Sequence, residues 1–97
     1  MYATIRRYEG VTDPKEVTRV VQQTFLPLVS DIRGFVAYYW VDAGGGVMLS
    51  TSIFEDKAGA EESNRRAATL VREKLASMFT KPPLITEGEI VAHTGAR

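Results

Sequence analysis

The chain has 97 residues, of which 44% are hydrophobic and 25% charged, enough for one domain with a modest core. Twelve basic residues balance twelve acidic ones, so the basic excess with which nucleic-acid binders neutralise phosphates is missing. There is no cysteine, which excludes a disulfide framework, a thiolate metal site and a Cys nucleophile.

No apolar stretch nears the ~20 residues that cross a bilayer, and Met1-Tyr2-Ala3-Thr4-Ile5-Arg6-Arg7 lacks a signal-peptide core. The expectation is a cytoplasmic protein, one domain over residues 1–97. Tyr2 to Glu9 alternates and is rich in β-formers, so it reads as a strand. Gly10-Val11-Thr12 is a turn, and Asp13-Pro14-Lys15-Glu16 is a helix start. Asp13 can accept from an orphan N–H, Pro14 sits where its missing donor is harmless, and Glu16 completes a capping-box-like pattern. Val17, Val20, Val21, Thr24 and Leu28 recur on one helical face. Pro27 is expected to kink or end that helix, because it cannot bond back to Gln23.

Gly34 restarts the chain. Phe35 to Asp42 is an aromatic and β-branched strand, Gly44-Gly45-Gly46 a hairpin turn, and Val47 to Phe54 the returning strand. Asp56 is placed to cap a second helix reaching to about Phe79, which Lys81-Pro82-Pro83 ends. Leu84 to Thr94 is the last strand. This β-α-β-β-α-β order predicts an α+β, ferredoxin-like fold: a four-stranded antiparallel sheet with both helices on one face.

That fold has a difficulty in the hairpin. Strand two offers Phe35, Ala37, Tyr39 and Val41 on one side and Val36, Tyr38 and Trp40 on the other; strand three offers Val47, Leu49 and Ile53 opposite Met48 and Phe54. Both faces are apolar, whereas an open sheet face that meets water is usually polar. A bare patch of this size marks an interface, and stacking of two sheets in a symmetric homodimer would cover it.

The second helix carries an inward stripe of Ala60, Ala67, Val71, Leu75 and Met78. Asn64 falls in its middle. A buried amide needs partners, and two roles are open to it. It can bond a strand or the preceding helical turn, or it can face a cavity and bind a ligand oxygen. Ala58, Ala60, Ala67 and Ala68 nearby either leave room or allow close packing.

The chain resembles the antibiotic-biosynthesis monooxygenase-like branch of the dimeric α+β barrel proteins. The resemblance rests on Arg33-Gly34-Phe35-Val36-Ala37-Tyr38-Tyr39, on the more distinctive run from Ser52-Ile53-Phe54-Glu55-Asp56 to Ser63-Asn64, and on Gly88-Glu89-Ile90-Val91. It implies two sheets packed across a homodimer, with a pocket between sheet and helices in each protomer. Some members oxidise aromatic polyketides with no metal or flavin, so the resemblance implies no cofactor. Others degrade haem with a helix His; here the one His, His93, lies near the end of the chain. Asn64 matches the helix Asn of the cofactor-free oxygenases. Those enzymes carry a Trp one turn later, where this chain has Ala68.

Such an oxygenase needs an electron-rich substrate, a dry pocket and hydrogen bonds to developing charge. Asn64 is the candidate catalytic residue, holding a substrate oxygen. Tyr38, Tyr39 and Trp40 are the candidate substrate-binding residues, with alternation allowing only one of the two tyrosines on a given face. Core or dimer packing is the competing role for all three aromatics. Arg65 and Arg66 read as a solvated helix face. His93 is available for acid–base work, but termini sit outside cores, and one His without Cys does not make a transition-metal site. Gly44-Gly45-Gly46 runs strand to strand and so is no phosphate loop. Arg33-Gly34-Phe35 echoes an RNA-recognition signature that fails at Val36 and Ala37. The partners expected are a second copy of the chain and a small aromatic molecule, without nucleic acid or membrane. A non-catalytic binding or interaction dimer is the alternative on the same scaffold.

Overall fold

The computed structural model describes residues 1–95. Strand β1 (Tyr2–Tyr8) leads into α1 (Pro14–Val20), which passes through a π-helical stretch, Val21–Phe25, into α2 (Leu26–Ser30). The hairpin of β2 (Phe35–Gly44) and β3 (Val47–Phe54) follows. Then come α3 (Lys57–Leu70), its π-helical extension Val71–Leu75, and β4 (Leu84–Glu89). All pairings are antiparallel and the strand order is β2-β3-β1-β4. With the helical segments packed on one side, this is the ferredoxin-like arrangement expected from the element order.

Both helix starts form at the Asp caps their sequences predict, while the Glu16 carboxylate pairs with Arg19 rather than closing a capping box. The Asp13 carboxylate accepts from the Glu16 N–H at 3.3 Å and the Asp56 carboxylate from the Gly59 N–H at 3.1 Å. Pro27 does not end the first helix, which continues to Ser30. The wide turn before it provides the reason: the Leu26 N–H reaches back five residues to the Val21 carbonyl, so the backbone has left the i−4 pattern before the ring arrives. The last strand stops at Glu89 rather than running to Thr94. Its neighbour in the sheet is β1, which pairs Tyr2 with Glu89, and an Ile90 N–H to Met1 carbonyl bond of 2.8 Å closes the ladder.

Alternation splits the sheet into two faces. Thr4, Arg6 and Tyr8 of β1 and Met48, Ser50, Ser52 and Phe54 of β3 are buried under the helices, where they meet Val17, Val21, Phe25, Ala67 and Leu75. A β-bulge between Phe35 and Ala37 shifts the strand-two pattern by one residue. It puts Phe35 on the helix side, its ring edge-on to Phe54 at 5.9 Å, together with Tyr38 and Trp40 and not with Ala37, Tyr39 and Val41. Among the described residues no helix or strand covers the opposite face, and Ile5, Tyr39, Val41 and Leu84 are exposed on it.

Helix α3 approaches the sheet closely at Gly59. A Cβ there would lie 2.7 Å from Cδ1 of Phe54, a fully buried ring. Gly59→Ala is expected to lower stability: overpacking costs ~1–3 kcal/mol, against roughly 1 kcal/mol of helix propensity gained. A lower urea midpoint checks this; a higher one means that the Phe54 ring yields freely.

Candidate functional site

The helix-facing surface of the sheet is apolar at its ends and polar in its middle. Cross-strand register sets Thr4 beside Ser52 and Arg6 beside Ser50, with Trp40 next to Ser50 and Tyr38 next to Ser52. The small hydroxyls of Ser50 and Ser52 leave volume that the long Arg6 side chain and the aromatics of β2 enter. Arg6 is 3% exposed. Its Nε donates to the Tyr8 hydroxyl at 2.8 Å and its Nη1 to Asn64 Oδ1 at 3.0 Å. The guanidinium also lies 5.6 Å from the centroid of the Tyr8 ring, a cation–π distance.

Asn64 reaches this group from α3. Its Oδ1 also accepts from the Thr4 hydroxyl at 3.3 Å, and its Nδ2 donates to Glu87 Oε2 on β4 at 3.0 Å. The amide is therefore oriented, carbonyl toward the sheet and nitrogen toward the edge strand. Every buried side-chain nitrogen and oxygen among the described residues has a partner, so the polar centre of the core is satisfied, as a buried network must be.

Two spaces meet at Arg6. The inner one lies between the sheet and both helices and is lined by Tyr8, Tyr38, Trp40, Phe25, Val71 and Leu75. Its free volume is only about 20 Å³, which suits one water and no organic ring. The outer one is a cleft of about 330 Å³ between α3 and β4. Ala68, Val71, Pro82, Pro83 and Ile85 wall it, with Arg6 and Asn64 at its base and Arg72 beside it. It exists because β4 projects beyond the helices: the inward-facing Ile85 is 47% exposed. Both π-helical stretches contribute to the inner space, through Val21, Phe25, Val71 and Leu75, in keeping with the siting of such turns near cavities.

Of the residues singled out from sequence, Tyr38 and Trp40 line the inner space and Asn64 the outer one. Trp40 Nε1 donates to Thr18 Oγ1 at 3.1 Å, so its polar edge is tied to α1. Tyr39 is not part of this group. It is 57% exposed on the other sheet face, near Val36, Ile53 and His93 in a shallow groove. No group of three or more His, Cys, Asp or Glu suited to a metal ion occurs among the described residues, and no helix there is long and apolar enough to cross a membrane. Arg6 and Glu87 were not selected by sequence reasoning. The available signal was Thr4-x-Arg6-x-Tyr8, a period-two row with a cation in its centre.

Burial, and next the neighbouring Tyr8, hold the Tyr38 phenol well above its usual ionisation range, while Ser50 and Arg6 pull weakly the other way. In the unfolded chain a tyrosine ionises near pH ~10, whereas in the native state Tyr38 stays neutral. Its contribution to stability is therefore complete below about pH 10 and is lost as pH rises above it. Tyr38→Phe is expected to shallow the alkaline loss of stability seen in urea unfolding; parallel losses in both proteins remove Tyr38 as a source.

No family model matches the sequence, and no curated protein matches it. Solved structures do. A protein of unknown function from Nitrosomonas europaea aligns with a TM-score of 0.78 at 21% identity, covering 99% of this chain and 94% of that one. The ActVA-Orf6 monooxygenase of Streptomyces coelicolor, in complex with nanaomycin D, aligns at 0.75 and 14% identity over 99% and 92% of the two chains. SnoaB, a cofactor-independent oxygenase from Streptomyces nogalater, aligns at 0.73 and 13% identity over 95% and 94%. Over nearly its whole length, this chain has the fold of the antibiotic biosynthesis monooxygenase-like structures.

Proposed function

We propose that the protein is a cofactor-independent, monooxygenase-like enzyme acting on a small aromatic or polyketide-like molecule held in the cleft between α3 and β4. The observation that carries this reading is the fixed Asn64 amide at the base of an apolar cleft, its carbonyl bonded by Thr4 and Arg6. Catalysis without metal or flavin needs an electron-rich substrate, exclusion of water and preorganised donors at the oxygen where charge develops. The Asn64 Nδ2 group and the Arg6 guanidinium are such donors, and the walls of Val71, Pro82, Pro83 and Ile85 provide the apolar surround. Tyr38 and Trp40, one layer deeper, back the site. The similarity of fold to a monooxygenase in complex with nanaomycin D and to a cofactor-independent oxygenase supports the same reading. Oxygen uptake with a panel of phenols and hydroxyquinones tests it. Asn64→Ala is expected to lose about tenfold to a thousandfold in rate, and equal rates in the two proteins remove Asn64 from the chemistry.

A second reading, a non-catalytic ligand-binding or interaction homodimer, draws support from the near-complete filling of the inner space. In either reading we take the working unit to be a homodimer stacked through the open sheet face, which exposes Ile5, Tyr39, Val41 and Leu84. A monomer that exposed so contiguous an apolar patch would be unusual. Sedimentation at micromolar concentration is expected to give a dimer, and Val41→Asp with Tyr39→Asp a monomer. A folded, soluble wild-type monomer overturns the homodimer.

A further inference from the structure

The organic substrate of the proposed reaction occupies the outer cleft and leaves the inner compartment without a role. The first property of that compartment is its size. About 20 Å³ admits one molecule of two or three atoms and no organic ring. Its second property is its surface. Val21, Phe25, Leu70, Val71, Leu75 and Phe79 line it on the helical side, and of these Val21, Phe25, Leu70 and Leu75 are fully buried.

The polar groups around the compartment are engaged elsewhere. The Tyr8 hydroxyl accepts from Arg6 Nε at 2.8 Å, the Ser63 hydroxyl donates to the Ala60 carbonyl at 2.7 Å, and Trp40 Nε1 donates to Thr18 at 3.1 Å. No buried side-chain nitrogen or oxygen among the described residues lacks a partner. Internal waters are held by polar groups that would otherwise go unsatisfied, whereas apolar cavities take up apolar guests such as xenon. The lining therefore favours a small uncharged guest with no need of hydrogen bonds. The space persists because two of the residues around it are small, Ala67 on α3 and Ser52 on β3.

The third property is position. Arg6 and Val71 line both the inner compartment and the outer cleft. A guest of the one is thus a neighbour of whatever the other holds, as two reactants of a single site must be. Oxidation without metal or flavin draws its oxygen from dissolved dioxygen, an uncharged apolar molecule of two atoms. We infer that the inner compartment is a binding site for dioxygen, set beside the cleft that takes the organic substrate. Its use in catalysis rests on the oxygenase reading; its existence rests on the size, lining and position of the compartment.

NMR of the full chain with labelled methyl groups, equilibrated in turn under nitrogen and under oxygen pressure, tests it. Dioxygen is paramagnetic and speeds the relaxation of the methyl protons it touches. Val17 and Val29 are the reference, because they are 0% and 1% exposed and stand outside the lining. The oxygen effect is expected to be severalfold larger at Val21, Leu70 and Leu75 than at these two. Ala67→Val, which pushes extra carbon into the compartment, should bring it down to the reference level. Ser52→Thr adds a methyl from the opposite wall with a residue suited to a strand, and must do the same if Ala67→Val does not fold. With a phenol that the protein oxidises, filling should raise the KM for oxygen severalfold and leave the KM for the phenol near its wild-type value. An oxygen effect no larger than the reference, or one that filling leaves intact, overturns the dioxygen site whether or not phenols are oxidised. A long-lived water, seen through its NOE to the same methyls and not displaced by oxygen, overturns it as well. An unchanged KM for oxygen in the filled proteins overturns its part in the reaction. A clear oxygen effect, abolished by filling, in a protein that oxidises no phenol upholds the site and overturns the oxygenase reading alone.

Discussion

The guanidinium of Arg6 is the group around which the middle of this molecule is arranged. A long cation under a sheet needs room, and the serines that flank it across β3, Ser50 and Ser52, provide that room by being small. It needs acceptors, and they are the Tyr8 hydroxyl on its own strand and the Asn64 carbonyl on α3, an amide held in turn by the donating Thr4 hydroxyl and the accepting Glu87 carboxylate. It also divides the space beneath the helices into a tight inner compartment and a wider outer cleft. A hydrocarbon at this position would merge the polar centre into an ordinary core and leave the Asn64 carbonyl with one weak donor.

The fold was legible because its signals are local. Asp13 and Asp56 cap helices through side chains that need only the next turn of backbone, and the period-two burial of β3 follows directly from its alternating sequence. What could not be read depends on how elements meet. The bulge near Val36 reverses the face of Phe35, and no residue between Arg33 and Ala37 announces it. The length of β4 is decided by where its partner strand begins. The helix around Pro27 survives because the turn before it is already wide, a geometry without a sequence signature.

The site was legible in the same uneven way. Asn64 stood out as an amide in an apolar stripe, and it is bonded to the sheet. Tyr38 and Trp40 share a face by parity, while Tyr39, one residue between them, is carried to the other side. Arg6 was hidden by its own strand. Ile5 and Tyr8 both look like core residues from sequence, so either row of β1 could have faced inward. Only the pairing of β1 with both β3 and β4 settles which cation is buried.

The segment after β1 also fastens the far end of the molecule. Val11 N–H donates to the Gly46 carbonyl at 2.9 Å, Thr12 N–H to Met78 at 3.1 Å, and the Thr80 hydroxyl to Gly10 at 2.9 Å. This clasp ties the glycine hairpin to the tail of the second helix beside Tyr8 and Phe79, whose rings stack at 4.4 Å. Passage into the inner compartment at that end would require several bonds to break together. At its other end the same compartment is bounded by the Arg6 side chain, which lines it and the outer cleft alike, so one residue is the shared wall of two rooms.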